Sequence, residues 1–211
     1  MSRGKSRDLL VDQGLRLFST QGYAATGVQD ITDAAGVPKG SFYNYFESKE
    51  DFAIAVLDRY RSEAKQHFTA ALESAITSPL ERLKVFLSAS ANEMAEAGFT
   101  ASCLAGRLAQ ELAGENAAFR KPLCQVFTSM RDLVAVCLTE ARDLGELDPR
   151  EDTEGLADFL VNSWQGAMLR AKAAGSSRPL TVALDVFFQR VLVAPEATAT
   201  ALPSISPESQ T

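Results

Sequence analysis

The sequence is poor in the residues that build metal and catalytic centres. Its 211 residues include one histidine, His67, and three cysteines, Cys103, Cys124 and Cys137. One imidazole leaves no second histidine for a metal site, and three widely spaced cysteines do not make a disulfide framework. There is no phosphate-cradling glycine loop, and no serine or cysteine lies next to a histidine. We therefore expect neither an enzyme nor a bound metal or cofactor.

Long apolar runs are also missing. No stretch approaches the roughly 18 apolar residues that indicate a membrane span. The first residues, MSRGKSRD, lack the apolar centre of a signal peptide. We therefore expect a cytoplasmic protein without a membrane partner. No segment alternates convincingly between apolar and polar residues, so the sequence predicts an all-α fold.

The most informative stretch runs from Gly22 to Phe52, GYAATGVQDITDAAGVPKGSFYNYFESKEDF. Val28 and Ile31 fall on one helical face, and Gly36 is typical of a residue that ends a helix. Pro38 then suits the first turn of a second helix, where its missing N–H costs nothing. Two helices around a glycine turn predict a helix-turn-helix.

The second of these helices, predicted over residues 39–46, can bury only Phe42 and Phe46. Its other side chains are expected to face outward: Lys39, Gly40, Ser41, Tyr43, Asn44 and Tyr45. A cation, an accessible glycine backbone and two phenols suit a groove of double-stranded DNA. The alternative is an ordinary packed three-helix domain.

These residues resemble the signature of tetracycline-repressor-type (TetR family) regulators. The resemblance rests on Thr26, Val28, Ile31, Ala34-Ala35-Gly36-Val37, Lys39-Gly40-Ser41-Phe42-Tyr43, Tyr45-Phe46 and Ser48-Lys49. It implies an all-helical homodimer that binds operator DNA and takes a ligand in a divergent C-terminal domain. The candidate DNA contacts are Thr26, Val28, Gln29, Lys39, Gly40, Ser41, Tyr43, Asn44, Tyr45 and Lys49.

The charge distribution is compatible with DNA although the net charge is −6. Residues 1–46 hold five cations and four acids, whereas residues 47–211 hold sixteen cations and twenty-three acids. Repulsion of the acidic part would help to orient the N-terminal part toward phosphates. Because net basicity is weak, helix N-termini and neutral hydroxyl groups must supply much of the phosphate contact.

Helical periodicity and turn residues divide the chain into three parts. Residues 1–47 are the predicted DNA-binding domain, residues 48–194 a ligand-binding and dimerisation domain, and residues 195–211 a disordered tail. About nine helices are predicted, over residues 6–21, 28–35, 39–46, 49–75, 79–98, 103–113, 117–144, 153–174 and 179–193.

The last two helices carry apolar stripes that suit a dimer interface. The candidate interface residues are Ala167, Leu184, Phe187 and Val191, with small neighbours that allow close helix approach. The competing interpretation is packing within one chain. Dimerisation is favoured because the family resemblance implies it, and because two recognition helices about one DNA turn apart read a palindrome.

The C-terminal half resembles, more loosely, the branch of the family that includes repressors responding to N-ethylmaleimide-like electrophiles and to acrylate-type compounds. The matching residues are Ser102-Cys103-Leu104, Leu108, Glu111, Phe119-Arg120, Trp164, Gly166-Ala167, Leu169, Ala171-Lys172 and Pro179-Leu180. Cys103 lies at a predicted helix start, which favours a thiolate, and Arg107 follows one turn later. Lys172 is a second candidate cation. A buried, unreactive cysteine is the alternative, and we expect Cys124 and Cys137 to be of that kind.

The remaining candidate effector-binding residues are Phe127, Trp164 and Met168, which line a cavity or fill a core. The sequence therefore predicts a homodimeric repressor that a small molecule releases from a palindromic operator, with Cys103 as a candidate sensor of electrophiles. A non-covalent acid bound by Arg107 is the other effector considered. Two further alternatives remain, a transcriptional activator and a ligand-binding protein with a non-functional helix-turn-helix.

Overall fold

A computed structural model describes residues 3–72, 78–100 and 103–192. Within these ranges the chain forms nine α-helices and no strand, so the predicted all-α fold is confirmed. The helices are α1 (Arg3–Thr20), α2 (Val28–Ala35), α3 (Lys39–Phe42), α4 (Lys49–Leu72), α5 (Pro79–Glu96), α6 (Leu104–Leu112), α7 (Arg120–Asp143), α8 (Thr153–Ala174) and α9 (Arg178–Val186). A 3₁₀ turn, Ala117–Phe119, precedes α7, and a π turn, Phe187–Val191, follows α9.

Several predicted helix ends were wrong. The helix predicted over residues 39–46 closes after one turn at Phe42, and residues 43–45 form a turn. The helix predicted over residues 117–144 is divided at Arg120, where a 3₁₀ turn becomes α7. The predicted tail, residues 195–211, lies outside the described residues. No helix in the described ranges is long and apolar enough to cross a membrane.

The buried side chains form two clusters, and α4 contributes to both. The first cluster joins α1, α2, α3 and the start of α4 to α6 and the start of α7. The second joins the end of α4 to α5, α7, α8 and α9. Leu104 and Leu108 of α6 therefore share a core with Phe42 of the helix-turn-helix. A displacement of α6 must be felt in that core, because closely packed interiors transmit strain. The domain boundary at residue 47 stays a prediction.

Candidate DNA-binding face and effector cavity

The turn between α2 and α3 forms as the sequence predicts. Gly36 has φ of 62°, the left-handed conformation that glycine adopts without a Cβ penalty. Its N–H donates to the carbonyl of Asp33, and the N–H of Val37 donates to Thr32. These bonds satisfy the last carbonyls of α2 and direct the chain into α3 at Pro38.

Aromatic packing anchors the short helix α3. Phe42 is completely buried, and its ring centroid lies 5.4 Å from that of Phe46 and 5.2 Å from that of Phe52. Aromatic pairs of this kind bury apolar area and also favour a particular orientation of the two rings. Because α3 has only four residues, this anchor and not helix propensity fixes the orientation of its outer face.

Four of the predicted contact residues lie exposed on that outer face: Lys39, Gly40, Tyr43 and Asn44. Tyr43 exposes 58% of its surface while its ring contacts the edge of Phe42 at 5.3 Å. A Cβ added to Gly40 would have no heavy atom within 4 Å. The fold therefore does not require glycine at position 40. Gln29 on α2 is also exposed, and its amide donates to Asp33 at 2.7 Å.

Other predicted DNA contacts face inward. The Thr26 side chain is completely buried and donates to the carbonyl of Gly22 at 2.6 Å. The Lys49 ammonium donates to the carbonyl of Tyr23 at 2.7 Å and lies 4.0 Å from the centre of its ring. Val28 and Tyr45 pack partly against the apolar core. Tyr45 was expected to face outward and is half-buried instead. A DNA contact by any of these four residues stays a prediction. Ser41 is half-buried.

One cavity of about 290 Å³ brings together four of the six predicted effector residues. Its walls are one face of α6, with the residue that precedes it, and one face of α8. The lining residues are Cys103, Gly106, Arg107, Gln110, Glu111, Gln165, Met168, Leu169 and Lys172. Two larger grooves of about 610 Å³ occur elsewhere in the described part of the chain, one between α7 and α8 and one between α1 and α4. Neither contains a cysteine, so the smaller cavity is the better candidate for the effector.

Phe127 and Trp164 do not line this cavity. Trp164 is buried in the second cluster, and Phe127 packs against the first. Both were predicted effector residues, and both pack in the core, which was the alternative interpretation. Met168 lines the cavity and also packs against both clusters.

Cys103 occupies the N-cap position of α6 and is 7% exposed. Tyr60 of α4 donates from its hydroxyl to the Cys103 sulfur at 3.3 Å. Burial, and next the charge of Cys103, raise the pKa of Tyr60 well above its usual value. The phenol therefore keeps its proton at neutral pH and remains a donor to the sulfur.

Two cations face the same cavity. Burial, and next the positive charge of Arg107, lower the pKa of Lys172. Arg107 forms an ion pair with Glu111, with 3.4 Å between Nε and Oε1. Burial therefore disfavours the charge of Lys172, and an anion in the cavity would stabilise it.

The sequence patterns did not indicate Tyr60, Gln110 or Gln165 as residues of this site. Gln165, Met168, Leu169 and Lys172 follow the i, i+3, i+4, i+7 spacing of one helical face, which is a signal that was available. Tyr60 meets Cys103 across 43 residues of sequence, and no local pattern reports such a contact.

The other two cysteines differ from one another. Cys137 is buried, and burial raises the pKa of its thiol to about 12. Cys124 is exposed. The expectation that Cys124 is buried was wrong, because it lies on the outer face of α7.

The predicted dimer residues pack inside the chain. Ala167, Leu184 and Phe187 are at most 8% exposed within the second cluster, and Val191 is partly buried against it. Three of the four predicted residues are therefore core residues of their own chain, and a role for any of them in a dimer stays a prediction. The exposed apolar side chains of the same two helices are Phe159, Leu169, Val182 and Val186, between 45% and 52% exposed. Phe159 stacks on Phe187 at 6.4 Å, which joins the inner core to this outer surface.

Comparison with known proteins adds an independent line of evidence. Residues 10–56 match the model of bacterial regulatory proteins of the tetR family, and residues 79–187 match the tetracyclin repressor-like C-terminal domain. The HTH-type transcriptional repressor DhaR of Mycobacterium sp. (strain GP1) is 37% identical over 93% of this chain and 97% of its own length. A TetR regulatory protein from Rhodobacter sphaeroides has a similar crystal structure, with a TM-score of 0.82 and 34% identity over 89% of this chain and 99% of that one. The reduced form of Escherichia coli NemR superposes with a TM-score of 0.80 and 27% identity, covering 91% and 100% of the two chains.

Proposed function

Because this chain belongs to the TetR family of DNA-binding transcriptional regulators, we propose that it is a homodimeric repressor. In this proposal it binds a palindromic operator through α3, and a small molecule that enters the cavity between α6 and α8 releases it. The observation that carries the proposal is the exposed surface of Lys39, Gly40 and Tyr43, held in place by the buried rings of Phe42 and Phe46.

Substitutions on the outer face of α3 test DNA binding. Lys39→Ala and Tyr43→Ala remove exposed side chains, so the dimer should stay folded. Each should weaken binding by about 1–3 kcal/mol per half-site. The measurement is fluorescence anisotropy at fixed salt, with a duplex that the wild-type protein selects from a random-sequence library. Lys84→Ala, an exposed lysine on α5, is the matched control and should bind normally. Wild-type affinity in both α3 variants would exclude this face.

The proposed dimer interface is the exposed apolar surface of α8 and α9, defined by Phe159, Val182 and Val186. Val182→Asp places a charge in the centre of that surface, and an unpaired buried charge opposes association. We expect monomers in sedimentation velocity and weak DNA binding. Val85→Asp, at a similarly exposed valine on α5, should remain dimeric. Val182→Asp sedimenting as a dimer would place the interface elsewhere.

We propose further that Cys103 senses reactive electrophiles. Its support is the helix N-cap position, the hydroxyl donor of Tyr60, and the two cations on the same cavity. One relative is described by its redox state, as the reduced form of NemR. With acrolein, the thiolate sulfur would bond to the β-carbon while the π electrons move onto the carbonyl oxygen. A proton from water then completes the adduct at the α-carbon.

Covalent sensing is tested in a Cys124→Ser background, because the exposed Cys124 would otherwise react too. Acrolein or 1,4-benzoquinone should add mass to Cys103 and release the selected duplex. Adding Cys103→Ser should leave DNA binding intact and abolish the response. Lys172→Met should weaken the response if the ammonium helps to hold the thiolate. Release with Cys103 unmodified would reject covalent sensing and favour a non-covalent acid bound near Arg107.

A further inference from the structure

Arg107 and Glu111 each face two ways. Both line the cavity between α6 and α8. Arg107 also binds the backbone at the end of α1, and Glu111 the backbone of the following loop, about 87 residues earlier in the sequence. Arg107 Nη1 donates to the carbonyls of Ser19 at 3.3 Å and Thr20 at 3.0 Å. A Glu111 carboxylate oxygen, Oε2, accepts from the N–H of Ala24 at 2.9 Å.

The two Arg107 bonds satisfy carbonyl groups that α1 leaves without a helical partner. The last carbonyls of a helix have no intrahelical donor, and a cation is favourable there because the C-terminus is the negative end of the helix dipole. The last turn of α1 contains no basic residue of its own. Arg107 supplies the missing cation from a distant helix.

Gly22 makes this approach possible. It has φ of 90°, and an added Cβ would overlap the Glu111 carboxylate and lie 2.9 Å from Arg107 Nε. Any other residue would be strained at this φ and would displace the Glu111 carboxylate and the Arg107 guanidinium from the loop. The Arg107–Glu111 ion pair therefore lies against the backbone of the α1–α2 loop at Gly22, where the two come closest.

The loop held in this way leads directly into the helix-turn-helix. Thr26 closes it by a hydrogen bond to the carbonyl of Gly22, and α2 begins at Val28. Lys49 of α4 holds the same loop through the carbonyl of Tyr23. The orientation of α2 and α3 thus depends on contacts to α4 on one side and to α6 on the other.

We propose that Arg107 and Glu111 form a latch between the effector cavity and the DNA-binding helices. An effector in the cavity that accepts hydrogen bonds from Arg107 draws the Arg107 guanidinium away from the carbonyls of Ser19 and Thr20. Loss of these bonds opens the latch. Opening frees the α1–α2 loop, so the two recognition helices lose their fixed spacing and DNA affinity falls. An effector acts in this way only by binding the open state more tightly than the closed one. This inference rests on the proposed repressor function.

The decisive variant is Arg107→Lys, because it keeps a positive charge in the cavity and loses the N–H groups that reach two carbonyls and Glu111 together. Glu111→Ala removes the other half. Without effector, both variants should bind the selected duplex about 10-fold more weakly, within the usual range of coupling between sites. Arg131→Lys is the matched control. It alters an arginine of similar exposure, 26% against 22%, whose ion pair with Glu154 joins α7 to α8 and does not contact α1.

Hydrogen exchange at the Ala24 amide provides a readout that does not depend on DNA. Exchange should accelerate in Arg107→Lys and Glu111→Ala, and in the Cys124→Ser protein after 1,4-benzoquinone, while the Arg131 control stays at the wild-type rate. If benzoquinone and acrolein fail to release the Cys124→Ser protein from DNA, the electrophile proposal fails and the variants still decide the latch. Wild-type or stronger DNA affinity in Arg107→Lys, with unchanged exchange at Ala24, would overturn the latch.

Discussion

Replacing Gly40 by alanine should raise the stability of the protein and weaken its binding to DNA. An added Cβ at this position meets no heavy atom within 4 Å, and φ of Gly40 is not positive. The substitution therefore carries neither a clash nor backbone strain. What remains is the smaller entropy of the unfolded chain, which stabilises the fold by about 0.4–1 kcal/mol. For a chain of this size that corresponds to a rise in Tm of about 1–4 °C.

The effect on DNA has the opposite sign because the added methyl group occupies the space in which the Gly40 backbone would approach a phosphate or a base. Loss of one close contact should cost about 1–3 kcal/mol in each half-site. Scanning calorimetry measures the first effect, and anisotropy with the selected duplex measures the second. Gly114→Ala is the control, since that residue is also exposed with open space around its Cβ and lies outside the helix-turn-helix.

The result that would refute this reasoning is an unchanged or improved operator affinity in Gly40→Ala. It would mean that the backbone of α3 stays away from the DNA and that the absence of a side chain at position 40 has no role in recognition. A lowered Tm would refute the other half, since it would show that the site is strained or more crowded than the geometry indicates.

Three further predictions concern stability and thiol chemistry. Gly14→Ala should lower the free energy of unfolding, measured by urea titration, by about 1–3 kcal/mol. The reason is that the added Cβ would overlap the Phe52 ring and lie 2.9 Å from Val56 Cγ2. Stability equal to wild type would show that α1 and α4 separate easily. In native protein at neutral pH, iodoacetamide should label the exposed Cys124 and leave Cys137 unmodified, because the buried Cys137 thiol has a pKa of about 12. Labelling of Cys137 before the protein unfolds would contradict the burial of that thiol. Asp148→Asn should destabilise the protein above pH 4, and the difference from wild type should shrink as the pH falls through 2 and vanish below it. This follows because hydrogen bonds from Arg150 lower the Asp148 pKa to about 2, so the wild-type advantage is lost as the folded carboxylate is protonated; a difference that stays constant across this range would contradict it.

Local patterns predicted the helix-turn-helix because its determinants are local. Gly36 ends α2 through its own left-handed backbone, and Phe42 and Phe46 lie one turn apart, so the sequence reports both directly. The same patterns misplaced Tyr45. Its ring could face a groove or the core, and the closure of α3 at Phe42 turns it toward the core.

The cavity was predicted only in part. Cys103 and Arg107 share a helical face within one turn, which spacing reveals. Their meeting with Met168 and Lys172 depends on how α6 packs against α8, and the donor to the sulfur comes from Tyr60 on a third helix. A one-dimensional pattern contains no information on which helices become neighbours.

The sequence alone determined the fold class, the family and the outer face of α3, because short-range periodicity, turn residues and a nearly continuous motif specify them. Only the tertiary structure decided what Arg107 does and which surface of α8 and α9 stays exposed. Arg107 was expected to meet a ligand or a thiolate, and it also binds the carbonyls at the end of α1. Ala167, Leu184 and Phe187 were expected to meet a second chain, and they fill the core of their own. An amphipathic helix shows which face is apolar, but burial depends on the number of apolar faces that compete for the same core.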